Sequence, residues 1–439
     1  MHLNRRRETL SPFPSRPRSM VDYRALFRVC LLCCLALLLP LCAASQQQRR
    51  RGRRPTPTTS APQTPAAQNQ AAPQKSFDQI AAEASAAREA DRVDEAVSLY
   101  RRGVGLQPQW AEGWWYLATL YYDQNNYAEA ARAFRETTKL QPGVGAPWAM
   151  LGLCEFQLAR YDDALDHIRQ GRQLGVGDNV ELTRVMRYHE GVLSILKGEF
   201  EVGQQTLGTL SYEGLKSEDL IIALGLAVLR IGMSPKQVDI NYRDRNLIRR
   251  AGLAEHFAAQ KNMSDAQREY DLLARDYAKV PNVQYAYGRF LYVNRDEEAA
   301  LAAFQRELEN WPKHVLARCQ IAYIKLQRKD IEGGLPLAEE AVKQAPRLPL
   351  AHYLLGRLLL EAGQNQRAIE ELEAAAQMVP NEAKIYFALA RAYTRVRRKE
   401  DADRARETFT RLSKQANEAQ GGTNALPDDN VVPERSAQP

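Results

Sequence analysis

Small residues recur along this chain at a fixed interval, with larger apolar residues spaced around them. Ala96, Ala130 and Ala164 stand 34 residues apart, as do Ala266, Ala300, Gly334, Ala368 and Ala402. A second series runs twelve residues ahead: Ala84, Ala118, Gly152, Ala254, Gly288, Ala322, Gly356 and Ala390. Apolar residues three and four apart share one face of a helix. Each period therefore predicts two amphipathic helices broken by a polar turn, such as DQNN at 123–126 or EAGQNQ at 361–366. Two helices approach closely only where side chains are small, so each hairpin needs one small residue per helix. Trp114, Leu117, Tyr121 and Phe134 fill the space around one such pair. Pro108, Pro142, Pro312, Pro346 and Pro380 follow the second-helix small residue by twelve positions. Proline cannot continue a helix interior, so each closes a unit. One hairpin buries too little apolar surface to stand alone, and stacking makes the core continuous.

Trp114 and Trp115 sharpen the register. Neighbours on a helix point about 100° apart, so both cannot sit at the centre of one buried stripe. The register assigns Trp114, equivalent to Trp148 one period on, to the core against Ala130 and Phe134. It turns Trp115 outward beside Thr119 and Tyr122.

These residues resemble the tetratricopeptide repeat (TPR) family. The stretch from 111 carries Trp114, Leu117, Ala118, Tyr121, Ala130, Phe134 and Pro142, and that from 349 carries Leu355, Gly356, Ala368, Leu372, Ala375 and Pro380. The resemblance implies an all-α fold, a right-handed superhelical solenoid of stacked helix-turn-helix TPR hairpins. Nine units are expected: 77–110, 111–144, 145–178, 184–217, 247–280, 281–314, 315–348, 349–382 and 383–416. They form an N-terminal array over 77–217 and a C-terminal array over 247–416. The fourth unit is weak, with Gly191 and Gly203 at its small positions. Residues 218–246 keep one apolar helix and lose the pattern at Pro235, which reads as a degenerate half-repeat, a joint, or a site-bearing insertion.

Charge changes the picture once it is located. The 439-residue chain is +7 overall, yet residues 1–76 alone carry thirteen Lys or Arg against Glu8 and Asp22. The remainder is thus net −4. A phosphate backbone is gripped by clustered cations on a folded surface, so no nucleic-acid partner is expected. Arg24 and Arg28 precede the apolar run VCLLCCLALLLPLCAAS at 29–45, the pattern of a secretory signal peptide over 1–45 with Met20 as an alternative start. The run is shorter than the ~20 apolar residues of a comfortable span. RRRGRR at 49–54 opposes export by the positive-inside rule, which keeps a single-pass membrane anchor as the alternative. Residues 46–76, rich in Pro, Gln and Ala, read as a disordered basic linker, and 417–439 as a disordered tail. Cys154 and Cys319 alone remain beyond the leader, in helical patterns, and read as buried inert thiols.

No catalytic, cofactor or metal constellation emerges. The six histidines are scattered, with no HExxH, GxxxxGK[ST] or GxSxG motif. No enzyme activity, cofactor or metal is therefore expected. In repeats of this family the first helix of each unit lines a concave groove. The position after the core Trp, and those four and seven further on, point into it. The resemblance places Trp115 and Tyr122, Tyr188, Tyr285, Arg289 and Tyr292, Tyr323, Tyr353 and Arg357, and Phe387 and Arg391 there. Ala149, Leu153, Phe156, Val192, Ile195, Cys319, Leu326, Leu360 and Thr394 take equivalent places. Arg289, Arg357 and Arg391 share a register, each four residues after an aromatic, a pattern suited to carboxylates. The Lys/Asn clamp with which some relatives hold a chaperone tail is not reproduced.

The expected function is a non-enzymatic scaffold, exported to the periplasm or beyond, binding a segment of another protein, one of the envelope, in its groove. The alternatives are an envelope assembly factor for surface polysaccharide or pili, and a membrane-anchored adaptor facing the cytoplasm. Contact with membrane is expected only through an uncleaved leader. The sequence leaves the oligomeric state open.

Overall fold

The structure, a computed structural model, describes residues 75–419. The expected leader, the linker as far as residue 74 and the tail from residue 420 lie outside the described residues. Among the described residues there are nineteen α-helices, one 3₁₀ turn and no strand. The described residues divide into two compact units: 75–148 with 174–183, and 149–173 with 184–419.

The first unit holds α1 (Phe77–Glu89), α2 (Val93–Leu106), α3 (Ala111–Asp123), α4 (Tyr127–Leu140) and the start of α5 (Gly145–Gln157). Ser76 opens α1 as a capping box, accepting from the Gln79 amide while the Gln79 side chain accepts from its own. Ala84, Ala96, Ala118 and Ala130, the expected small residues, are fully buried. Trp110, just before α3, is a keystone that the periodicity did not single out. Its ring stacks on Tyr100 at 5.5 Å and meets Phe77 edge-on at 5.2 Å. A methyl group at Gly113 would fall 2.1 Å from that indole, which is why glycine stands there.

The second unit contains the rest of α5, then α6 (Tyr161–Leu174) as far as Gln173, α7 (Val180–Leu196) from Arg184 onward, α8 (Phe200–Tyr212) and α9 (Glu218–Val228). A 3₁₀ turn (Pro235–Gln237) precedes α10 (Arg245–Ala259) and α11 (Met263–Asp276). Four regular hairpins follow: α12 (Val283–Val293) with α13 (Glu297–Asn310), α14 (Val315–Gln327) with α15 (Ile331–Gln344), α16 (Pro349–Glu361) with α17 (Asn365–Met378), and α18 (Ala383–Arg395) with α19 (Lys399–Ala419). The last helix runs through 417–419, where the sequence predicts tail.

The small-residue rule is visible as geometry. A methyl at Gly152 would lie 2.8 Å from the Ala164 carbonyl oxygen, one at Gly203 2.9 Å from that of Gly191, and one at Gly356 3.2 Å from that of Ala368. Turns between paired helices place one residue in the left-handed region: Asp91, Asn125, Ala159, Lys261, Arg295, Lys329 and Arg397, with Gly198 and Gly363 doing so in the fourth and eighth units. The last helix presents Asp403, Arg404, Arg406, Glu407 and Arg411 to solvent, the polar outer face that ends a stack.

Residues 218–246 break the two-helix rhythm with one extra helix. Every residue of α9 from Leu220 to Val228 is buried, and it packs between α8 and α10. The α9–α10 contact is the tightest crossing among the described glycines. A methyl at Gly225 would fall 1.9 Å from the Ile248 carbonyl oxygen, and one at Gly252 1.8 Å from that of Ile221. Helix α10 thus uses Gly252 toward α9 and the buried Ala254 in its pairing with α11. Arg245 and Arg249 also pair with Glu218 at the start of α9, at 2.7 and 3.2 Å.

Candidate protein-binding surface

Helix side chains lean toward the N-terminus of their helix, and this lean changes the expected partition of the double tryptophan. Trp114 reaches back over the turn before α3, where its indole Nε1 donates to the Pro108 carbonyl at 2.9 Å. Trp115 packs edge-on against Phe134 of the same hairpin, with ring centres 5.5 Å apart. The assignment of Trp114 to the Phe134 contact is therefore corrected: Trp115 makes that contact and is half-buried by it. Tyr122 is half-buried and edge-on to Tyr127.

In the second unit the expected groove residues divide by burial. Tyr285 and Tyr353 are 1% and 4% exposed, so they offer a partner little surface. Tyr285 packs against Phe304 and His314. Tyr188 is half-buried and edge-on to the buried His189. Tyr292 and Tyr323 are half-buried and brought together, 6.2 Å between ring centres. Phe387 is 49% exposed, its ring 5.4 Å from that of Phe409.

The three arginines in register are each engaged within the chain. Arg289 lies 3.7 Å from Glu201 and 3.5 Å from the Gln204 side chain, with Tyr285 beneath it. Arg357 donates to the Tyr353 hydroxyl at 2.8 Å. Arg391 donates to Glu361, on the first helix of the preceding hairpin, at 3.0 Å. A row of guanidinium groups spaced for carboxylates thus already has internal partners.

Two features had no warning in the residue pattern. First, the connector between α9 and α10 folds back over the third and fourth hairpins. Lys236 Nζ donates to the Gln157 side chain at 3.0 Å and lies 5.9 Å from the centre of the Phe156 ring. Ser234, Pro235 and Val238 are buried. Phe156, which the register assigns to the groove, is thus covered by the protein's own chain. Second, a cavity of about 220 Å³ opens among α8, α9, α10, α11 and α12. Val228, Ala258 and Phe290 line its apolar part, Glu255, Gln204 and Arg289 its polar part, and Met263 and Val293 belong to its exposed lining. The Tyr270 hydroxyl donates to Glu255 at 3.0 Å. Burial first, and then that carboxylate, push the Tyr270 phenol well above the ordinary tyrosine range, so it stays protonated as the donor.

Cys154 and Cys319 are buried, and burial raises the Cys154 thiol above its usual value. Among the described residues no three His, Cys, Asp or Glu side chains cluster as a metal site, and no helix is long and apolar enough to cross a membrane.

Solved structures with a similar course of chain include MamA from Desulfovibrio magneticus RS-1, 25% identical over 40% of this chain and 96% of that one, with a TM-score of 0.33. Another is the APC/C hetero-tetramer Cut9–Hcn1, 13% identical over 79% of this chain and 89% of that one, with a TM-score of 0.35. Among curated proteins none matches the chain. The family described as tetratricopeptide repeat matches residues 81–144, 117–175, 252–315, 319–383 and 353–416, more than half of the sequence. The chain belongs to the tetratricopeptide repeat family.

Proposed function

We propose that this protein is a non-catalytic, exported scaffold that holds a segment of an envelope protein against the first-helix faces of its hairpins. The observation that carries this reading is the membership of both runs of repeats in a family whose hairpins present a binding face. The half-buried pair Tyr292 and Tyr323 supports it, because amphipathic rings give contact area at low entropic cost. The apolar run at 29–45 behind Arg24 and Arg28 supports export.

Site-specific photo-crosslinking in cells tests the reading. A photoreactive residue at Tyr292 or Tyr323 is expected to yield a discrete adduct, and one at the exposed second-helix position Gln305 none. Equal labelling from all three positions, or none from the tyrosines, overturns it. Protease protection of the folded part in spheroplasts decides its side of the membrane.

A further inference from the structure

The cavity beside Arg289 is not the work of a regular pair of hairpins. Its walls include Gln204 of α8 and Val228 at the end of α9, brought to α12 by the extra helix. At about 220 Å³ it falls below the roughly 300–1,000 Å³ of small-molecule and cofactor sites. It is the size for one or two side chains of a docking segment. Ala258, Phe290 and Val228 supply an apolar seat, and Met263 and Val293, 40% and 72% exposed, extend the apolar surface.

One basic and one acidic side chain line this seat, and their circumstances differ. Arg289 has Glu201 at 3.7 Å, the Gln204 side chain at 3.5 Å and the Tyr285 ring beneath it. Glu255 accepts only from the neutral Tyr270 hydroxyl, and among the described residues no lysine or arginine pairs with it. A hydroxyl supplies that carboxylate with a hydrogen bond but with no positive charge, whereas an ammonium or guanidinium supplies both. The unsatisfied electrostatic demand therefore lies at Glu255.

We propose that this cavity binds a partner segment bearing an apolar anchor next to a lysine or arginine, the anchor entering the seat and the cation pairing with Glu255. This rests on the scaffold reading above and specifies its partner as basic and apolar, where the arginine register alone suggests an acidic one.

Fluorescein-labelled synthetic peptides with one central Leu-Leu core, flanked by lysine, glutamine or glutamate, test it against the purified protein by anisotropy. The lysine form is expected to bind at least tenfold tighter than the glutamate form. Glu255→Gln is expected to erase that preference, and Arg289→Gln to leave it. Ala258→Phe, which fills the seat, is expected to abolish binding of all three while the helical circular dichroism stays unchanged. Equal or reversed preference, a preference that survives Glu255→Gln, or no saturable binding overturns the proposal. Crosslinks from Tyr292 and Tyr323 in cells would still stand in those cases, which separates failure of the partner chemistry from failure of the scaffold reading.

Discussion

The Trp114 indole is hydrogen-bonded to the Pro108 carbonyl six residues earlier, and the arrangement repeats wherever a proline closes a unit. Trp148 does the same to Pro142 at 3.0 Å, His352 to Pro346 at 3.0 Å, Tyr386 to Pro380 at 3.0 Å, and Arg318 to Pro312. Five side chains of four kinds share one property, an N–H or O–H at the right distance from the helix start. The carbonyl lies past the end of a helix, where no backbone amide of that helix can reach it. A side-chain donor from the next helix satisfies it and fixes the angle at which the next unit begins.

Trp114→Phe and Trp148→Phe keep a six-membered aromatic ring and remove the donor together with the five-membered ring that carries it. Each is expected to lower stability by at least roughly 0.5–1.5 kcal/mol, the net value of one hydrogen bond, with the lost apolar contact adding to it. Urea denaturation followed by circular dichroism reads the change. Midpoints equal to wild type would mean that water serves the proline carbonyl equally well.

Trp115 is a poor probe of binding, because its ring is part of a hairpin. Trp115→Ala removes an edge-on partner of the fully buried Phe134 and is expected to destabilise by about 1–3 kcal/mol, the aromatic pair itself accounting for roughly 0.5–1.5. Tyr323→Phe keeps its ring and is expected to leave stability within about 0.5 kcal/mol of wild type. If Trp115→Ala melts with wild type, the contact with Phe134 has no energetic weight.

The repeat period was legible because one geometric demand, close helix approach, admits few residue types. Gly152 with Ala164 and Gly356 with Ala368 answer that demand twelve residues apart, and the crossing carbonyls lie beside them. The same demand is met by Gly225 and Gly252, but a long connector separates them, so fixed-interval spacing could not reveal the pair. The direction of Trp114 and Trp115 escaped as well. Residue spacing gives the stripe on which a side chain lies, and the lean toward the helix start decides what it touches. The internal pairing of Arg289 with Gln204, 85 residues away, depends on the placement of the extra helix and has no local signature.

His189 gives the second unit a sensitivity to acid. Histidine ordinarily titrates near 6.5. Burial lowers this one to about 4, with a hydrogen bond to the Val185 carbonyl opposing the shift and Lys236 adding to it. Between those values the unfolded chain takes up a proton that the folded chain refuses. The contribution to stability is therefore fully present above about pH 6.5 and is lost as pH falls toward 4. His189→Phe removes that term. The stability difference between wild type and variant is expected to change by roughly 2–3 kcal/mol between pH 7 and 4.5, in favour of the variant as pH drops. Burial also lowers His314 to about 4, but it is common to both proteins and cancels in the difference. A difference that stays constant with pH would show that His189 titrates normally in the fold.

The glycine crossing of α9 and α10 sets the position of the extra helix, and with it the cavity. Glycine in a helix interior ordinarily costs about 0.5–1 kcal/mol relative to alanine, so Gly→Ala stabilises where there is room. At Gly208 in α8 the nearest neighbour of an added methyl is the Ala259 side chain at 3.8 Å, an ordinary contact. Gly208→Ala is expected to gain about 0.5–1 kcal/mol. Gly225→Ala makes the same chemical change but places the methyl 1.9 Å from the backbone carbonyl of Ile248. Neither helix backbone can yield locally, so the two must separate and Leu220–Val228 lose their close packing. The expected cost is about 3 kcal/mol or more, at the upper end of overpacking effects. Thermal melts of the two variants beside wild type should move in opposite directions. A Gly225→Ala protein as stable as Gly208→Ala would mean that the crossing is wider than this geometry, and that the extra helix is free to shift.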